Sequence, residues 1–251
     1  MATTRRRVNG RRPAARLFAH DRQFGVRRVA GADEAGRGCL AGPLVVAAVC
    51  LDLEGLSPRG RRSLSDLDDS KRLAPDVRHR VAEAILRQAD QVVVLVASAA
   101  TIDREGLHRT NLRLLARALA AIEPCPSVCL VDGFRLGPRA PAHRAVVGGD
   151  HRSASIAAAS VIAKTTRDRL MAGPMAAAYP GFGFDQHVGY ATPEHHAALR
   201  ASGLSPLHRR SFQSMAYPGY AALSSPVALT GPRSPRAGVP PAPPIAPDAP
   251  R

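Results

Sequence analysis

Cysteine is scarce in this 251-residue chain: Cys39, Cys50, Cys125 and Cys129 are all it has. So few thiols at this length make no disulfide framework, and the Cys125-x3-Cys129 pair lacks the second half of a zinc site. A reducing cytoplasm is the expected compartment. Long apolar runs are missing too. Nothing approaches the roughly eighteen residues of a membrane span, and the N-terminal stretch has no apolar signal-peptide core. No internal repeat is evident. Gly31-x4-Gly36 lacks the G-x-G turn of a dinucleotide fingerprint, and no Ser-His-Asp set shows a spacing signal. What remains is a chain of 45% apolar and 22% charged residues, enough to bury the core of one catalytic domain with decorations. Acids are the minority charge, 20 against 35 basic residues, and the net +15 points to a polyanionic partner, nucleic acid first.

The charge is uneven. Residues 1–30 hold nine arginines and one acid, Asp21, or +8. Residues 221–251 hold three arginines and Asp248, or +2, which leaves +5 between them. The tail has nine prolines in its last 31 residues and no aromatic residue, so it reads as a disordered tether without the anchor of a clamp-binding peptide. The expected organisation is a basic disordered arm over 1–25, a catalytic domain over 26–178, a helical extension over 179–215 and a Pro/Ala-rich disordered tail over 216–251.

Apolar patterning predicts strands over Val26–Asp33, Pro43–Leu51, Gln91–Ala97, Ser127–Val131 and Arg144–Val147. Helices are predicted from Pro75 to about Ala89, over Thr110–Ile122, over Ser153–Met171, and after Thr192-Pro193, where Thr192 is the N-cap. Leu53–Leu73 reads as loop. The order implies an α/β domain on a mixed sheet.

Acids stand at several of these strand ends: the Asp33-Glu34 pair before Gly36-Arg37-Gly38, Asp132 before Gly133, and Asp150 after Gly148-Gly149. Acids at the ends of buried strands are costly to desolvate unless a cation neutralises them, and hard divalent ions take such oxygen ligands. Successive side chains alternate across a strand, so Glu34 is expected at the strand's end, where the turn redirects it. On spacing alone, Asp132-Gly133 is equally a turn and Asp150 equally a helix cap.

The run Gly31-Ala-Asp-Glu-Ala-Gly-Arg-Gly-Cys-Leu-Ala-Gly-Pro43 resembles the signature of bacterial ribonuclease HII, the type 2 ribonuclease H. Further matches follow in the same order: Asp69-Ser70-Lys71, Val131-Asp132-Gly133, Gly149-Asp150, Ala159–Lys164 with Arg167-Asp168-Arg169, Gly189–Thr192, and His208–Phe212. The resemblance covers about residues 26–215. It implies a ribonuclease H-like mixed five-stranded sheet flanked by helices, with a small helical C-terminal extension. It also implies Asp33, Glu34, Asp132 and Asp150 as catalytic metal ligands for Mn²⁺ or Mg²⁺. The implied reaction is cleavage 5′ to a ribonucleotide in RNA–DNA hybrids and in DNA duplexes containing ribonucleotides, by a monomer that needs no membrane. A catalytically silent nucleic-acid-binding protein of the same fold is the alternative. The presence of all four acids argues against it.

A ribonucleotide in duplex is marked by its 2′-hydroxyl. Gly36, Arg37 and Gly38 suit a backbone approach to the sugar, and the resemblance makes Tyr190 the other half of the sensor. Lys71, Arg37 and the Arg209-Arg210 pair are candidate phosphate contacts. Lys164 is expected to reach the site or a surface acid, and Asp168 to pair structurally with arginines of its own helix. Where the family commonly has lysine before Gly-Tyr, this chain has Val188. His187 is either a proton shuttle or phosphate ligand, or an ordinary surface histidine.

Overall fold

The computed structural model describes residues 13–212, which belong to one compact unit. Five strands form one sheet in the order β3-β2-β1-β4-β5. They are β1 (Arg28–Ala35), β2 (Leu44–Asp52), β3 (Gln91–Ala97), β4 (Val128–Asp132) and β5 (Arg144–Val146). The first three pair antiparallel, while β4 joins β1 and β5 joins β4 in parallel. The sheet is therefore mixed, as the sequence implied. β2, an apolar run with Leu44–Leu51 buried throughout, can sit only inside a sheet covered on both faces.

Helices supply the two covers. On one face lies α6 (Ala154–Leu170), whose alanine-rich first three turns are buried all round. Its approach is close: a Cβ on Gly31 of β1 would lie 2.2 Å from the backbone of Ser155 and Ile156. The other face is covered by α5 (Leu107–Ala120), through Leu114, Leu115, Ala118 and Leu119. Odd-numbered β1 residues face α6 and even-numbered ones face α5. The remaining helices are α1 (Pro13–Arg22), α2 (Pro58–Ser63), α3 (Pro75–Gln88), α4 (Ala99–Glu105), α7 (Ala176–Ala178), α8 (Phe184–His187) and α9 (Pro193–Ser202). None of the described helices is long and apolar enough to cross a membrane.

Four expectations are corrected. β1 runs through Ala35, so Glu34 lies inside the strand rather than at a redirected end. Of the expected arm, residues 1–12 lie outside the described residues, and the rest is corrected. Pro13–Arg22 is helix α1, with Leu17 and Phe18 in the core and Asp21 Oδ2 accepting the Ser155 N–H at 2.8 Å. The 53–73 loop contains α2, capped by Ser57. α4, absent from the sequence reading, is separated from α5 by Gly106 at φ +83°, and α5 begins three residues earlier than expected. α6 passes into a widened π turn at Met171–Met175, where Pro174 has no N–H to donate. The expected tail falls outside the described residues.

Candidate active site

Strand register brings the acids together. β1 and β4 run parallel with Ala32 beside Val131, so one step further Asp33 and Asp132 stand side by side. Both belong to the α6 face, while Glu34 points to the α5 face. They can still share one site because β4 ends at Asp132 while β1 continues. The missing neighbour leaves an opening that β1 residues of either face can reach. The result is a cleft of about 310 Å³ lined by Asp33, Glu34, Gly36, Arg37, Gly38, Lys71, Asp132, Ser160, Lys164 and Tyr190.

The cleft is electrostatically uncomfortable for its acids. Burial pushes Asp33 well above the usual carboxylate range, and the charges of Glu34 and Asp132 add to it. Asp33 Oδ1 accepts the Glu34 N–H at 2.7 Å, which opposes that shift without cancelling it. Burial also raises Glu34, against the pull of Asn111, Arg37 and Lys71. Asp132 is raised by burial and by Asp150, although its Oδ1 accepts the Gly149 N–H at 2.7 Å. Glu34 Oε2 is buried and has no hydrogen-bond partner. Three carboxylates held against their charged forms, one with an orphaned oxygen, are a donor set that a hard divalent cation satisfies.

Asp150 stands next to this cleft without lining it. With Asp69 and His151 it forms a group whose ligand atoms lie within 4.8 Å of one another. Lys71 Nζ is 3.9 Å from Asp150 Oδ2, on a side chain that is 76% exposed. The sequence signal for Asp69 is the same Asp-Ser-Lys run that points to Lys71. Asn111 was also missed. It is fully buried on α5 beside Glu34, whose charged form it favours, yet neither of its amide atoms completes a well-formed hydrogen bond.

The sugar-facing candidates line the same cleft. Gly36, at φ +90°, is fixed by packing, since a Cβ there would meet Arg167 Nε at 2.0 Å. Gly38 is exposed with open space around it. Arg37 lies 3.7 Å from Glu34 Oε1 and stacks over the Phe134 ring. Tyr190 is 39% exposed, with Lys164 Nζ 5.0 Å from its ring centroid. That ammonium reaches Asp168 Oδ1 at 2.8 Å. Asp168 is structural as expected, but it pairs with Lys164 and with Arg78 of α3 rather than with arginines of its own helix.

Two residues lose their expected roles. Arg209 is fully buried and donates to the carbonyls of Arg37, Gly42 and Pro43, so its contacts are with backbone and not phosphate. His187 is buried and so is no surface histidine, and with Nε2 against the Phe182 carbonyl and Nδ1 accepting the Gly189 N–H it has no ring nitrogen left for a proton shuttle or a phosphate. His195 and His208 are likewise engaged. His208 Nδ1 accepts the Ser205 N–H, so its Nε2 donates to His195 Nε2 at 3.0 Å, and His195 Nδ1 donates to the Tyr190 carbonyl at 2.8 Å. This neutral relay anchors the Tyr190 backbone. A larger cleft of about 940 Å³, among Arg109, Leu112 and Arg117 on the outer side of α5, contains no converging acids.

Known proteins match this arrangement. The ribonuclease HII family model matches residues 30–215. The ribonuclease HII of Mycobacterium avium is 48% identical over 188 residues, covering 75% of this chain and 79% of that one. Ribonuclease H2 of Pyrococcus horikoshii superimposes with a TM-score of 0.63 at 27% identity, over 74% of this chain and 94% of its own. Ribonuclease HII of Archaeoglobus fulgidus, solved in complex with PCNA, gives 0.62 at 27% identity, over 74% and 95%. Family model, sequence identity and superposition agree: the chain belongs to the ribonuclease HII family and is an endoribonuclease of the ribonuclease H type.

Proposed function

We propose that this endoribonuclease hydrolyses the phosphodiester on the 5′ side of a ribonucleotide, both in RNA–DNA hybrids and at single ribonucleotides within duplex DNA, leaving 3′-hydroxyl and 5′-phosphate ends. The observation that carries this reading is the convergence of Asp33, Glu34 and Asp132 on a cleft that Gly38 and Tyr190 also line. These three acids would hold Mg²⁺ or Mn²⁺, with Asp150 beside Asp132, and Asp69 and His151 adjoining. Such ions, when bound, activate water and stabilise the leaving oxygen of an in-line displacement.

The chain's own groups bind and orient. Lys71, exposed at the rim, meets a phosphate oxygen as a mobile point charge. Arg37 is held by Phe134 at the height of Glu34, where it contacts the backbone of the cleaved strand. The Gly36–Gly38 backbone and the Tyr190 hydroxyl read the 2′-hydroxyl, which both donates and accepts. Lys164 and the histidine relay fix the tyrosine from below.

The test is a DNA duplex with one embedded ribonucleotide, incubated with Mg²⁺ or Mn²⁺. A single cut 5′ to the ribonucleotide is expected, abolished by EDTA and by Asp33→Asn or Asp132→Asn. Equal cleavage of an all-DNA duplex would overturn the 2′-hydroxyl reading.

A further inference from the structure

The sugar-facing wall is assembled from two distant segments, the turn over residues 36–43 and the loop over residues 188–190. Backbone contacts join them directly: Leu40 N and Ala41 N both donate to the Gly189 carbonyl, at 2.9 and 3.3 Å. One side chain bridges the same joint. Arg167 is fully buried, and its guanidinium donates from Nε to Pro43 O at 3.0 Å, from Nη2 to Ala41 O at 2.9 Å and from Nη1 to Val188 O at 2.9 Å. Its carbon Cζ lies 5.9 Å from the centre of the Tyr190 ring. The turn is shaped to receive it, since Cβ atoms on Gly36 and Gly42 would stand 2.0 Å from Nε and 3.3 Å from Nη2. The carbonyl that it holds on the far side belongs to Val188, a β-branched residue at φ +44°. A backbone in that strained region persists only where its surroundings over-determine it.

Burying a guanidinium is expensive, and packing alone would be served by a neutral side chain. What the guanidinium supplies is a rigid planar fork that meets three carbonyls of fixed relative position. We propose that Arg167 is a specificity-determining positioning residue: by fixing the distance between the 36–43 turn and Tyr190, it sets how strictly the enzyme requires a 2′-hydroxyl. This rests on the reading of Gly36–Gly38 and Tyr190 as the sugar sensor. Lysine cannot replace it, because a tetrahedral ammonium keeps the charge and loses the plane.

The experiment compares kcat/KM on duplexes carrying either one ribonucleotide or one 2′-fluoro-nucleotide at the same position, for the full chain with Mg²⁺. Arg167→Lys is expected to lower the ribo/fluoro ratio roughly ten- to a hundredfold, the scale of a misplacement near 1 Å. Tyr190→Ala should lower the ratio too, and the double variant should fall no further than Tyr190→Ala alone, because both act through one contact. A purely structural Arg167 would reduce activity on both substrates alike and leave the ratio unchanged, which would overturn the proposal. If Arg167→Lys does not fold, Gly189→Ala tests the same joint from its other side, with a Cβ 2.4 Å from the Ala41 carbonyl. An unchanged ratio there would also overturn it. If Tyr190→Ala itself leaves the ratio intact, the sensor reading fails. If only Arg167→Lys and Gly189→Ala do so, the sensor stands and the positioning role fails.

Discussion

Asp33 is 5% exposed, between two other acids, on a strand that could have buried an apolar residue. Its folded pKa is raised, so the metal-free fold disfavours its charged form relative to the unfolded chain. By linkage, metal-free stability falls as pH rises from the ordinary carboxylate range through that raised value. Asp33→Asn should therefore abolish cleavage and yet raise the melting temperature of the EDTA-treated protein at pH 7.5, by roughly 2–8 °C. Adding Mg²⁺ should raise the wild-type temperature and leave the variant nearly unmoved; calorimetry in both conditions checks this. Asn111 makes a companion case. Neither of its amide atoms completes a well-formed hydrogen bond, so Asn111→Leu should change stability little. Glu34 loses the neighbour that favours its charged form, and Mn²⁺ affinity, titrated by electron paramagnetic resonance, should drop about tenfold, or roughly 1.4 kcal/mol. Unchanged affinity would show that Asn111 merely fills space.

At the scale of elements, the strands were legible because apolar runs build a sheet whose central strands, β1 and β2, are buried on both faces. β3 was read to the residue, and Thr192 caps α9 as its hydroxyl requires. Legibility ended where tertiary contact decides the outcome. An arginine-rich segment looked like a charged arm, but Leu17 and Phe18 turn it into α1. Arg209 looked like a phosphate ligand because sequence cannot show that carbonyls surround it. Asp33, Glu34 and Asp132 stood out as acids in or beside apolar strands, whereas Asn111 gave no signal, since Glu34 lies 77 positions away on another element. The histidine relay was equally invisible, and it carries a prediction for α9. Burial lowers His195 to about 4 and His208 to about 3, below the 6.5 of the unfolded chain. A depressed histidine contributes stability that is present above pH 6.5 and is lost as pH falls toward those values. The wild-type melting temperature should thus carry a component that declines between pH 6.5 and 4. His208→Gln should lower the temperature at pH 7 by several degrees and flatten that decline. The difference between the two proteins cancels the opposite trend of the acids in the cleft.

For the whole molecule, the question is what the +15 does, given a site built from acids. The 31–220 segment carries only +5, so most of the excess lies outside the chemistry. Five arginines, Arg5, Arg6, Arg7, Arg11 and Arg12, precede α1, while Arg16 and Arg22 lie on it. α1 is tied to the catalytic core through Asp21, whose carboxylate accepts the Ser155 N–H near the start of α6. Two truncations separate delivery from folding. Removing residues 1–12 deletes charge without touching that helix, so the melting temperature should stay within about 1 °C. If each lost arginine was a phosphate contact, the slope of log affinity against log salt should shrink by up to about 4.5. Low-salt turnover should be spared. Removing residues 1–25 also takes Leu17 and Phe18 from the core and Asp21 from α6, and it should lower stability by roughly 3–5 kcal/mol. Binding isotherms at several salt concentrations, with thermal melts, decide between the outcomes. Loss of low-salt turnover in the shorter truncation would make the arginines part of the site. A salt slope that did not change would strip them of any role in holding the duplex and return the whole electrostatic attraction to the catalytic domain's own Arg37 and Lys71.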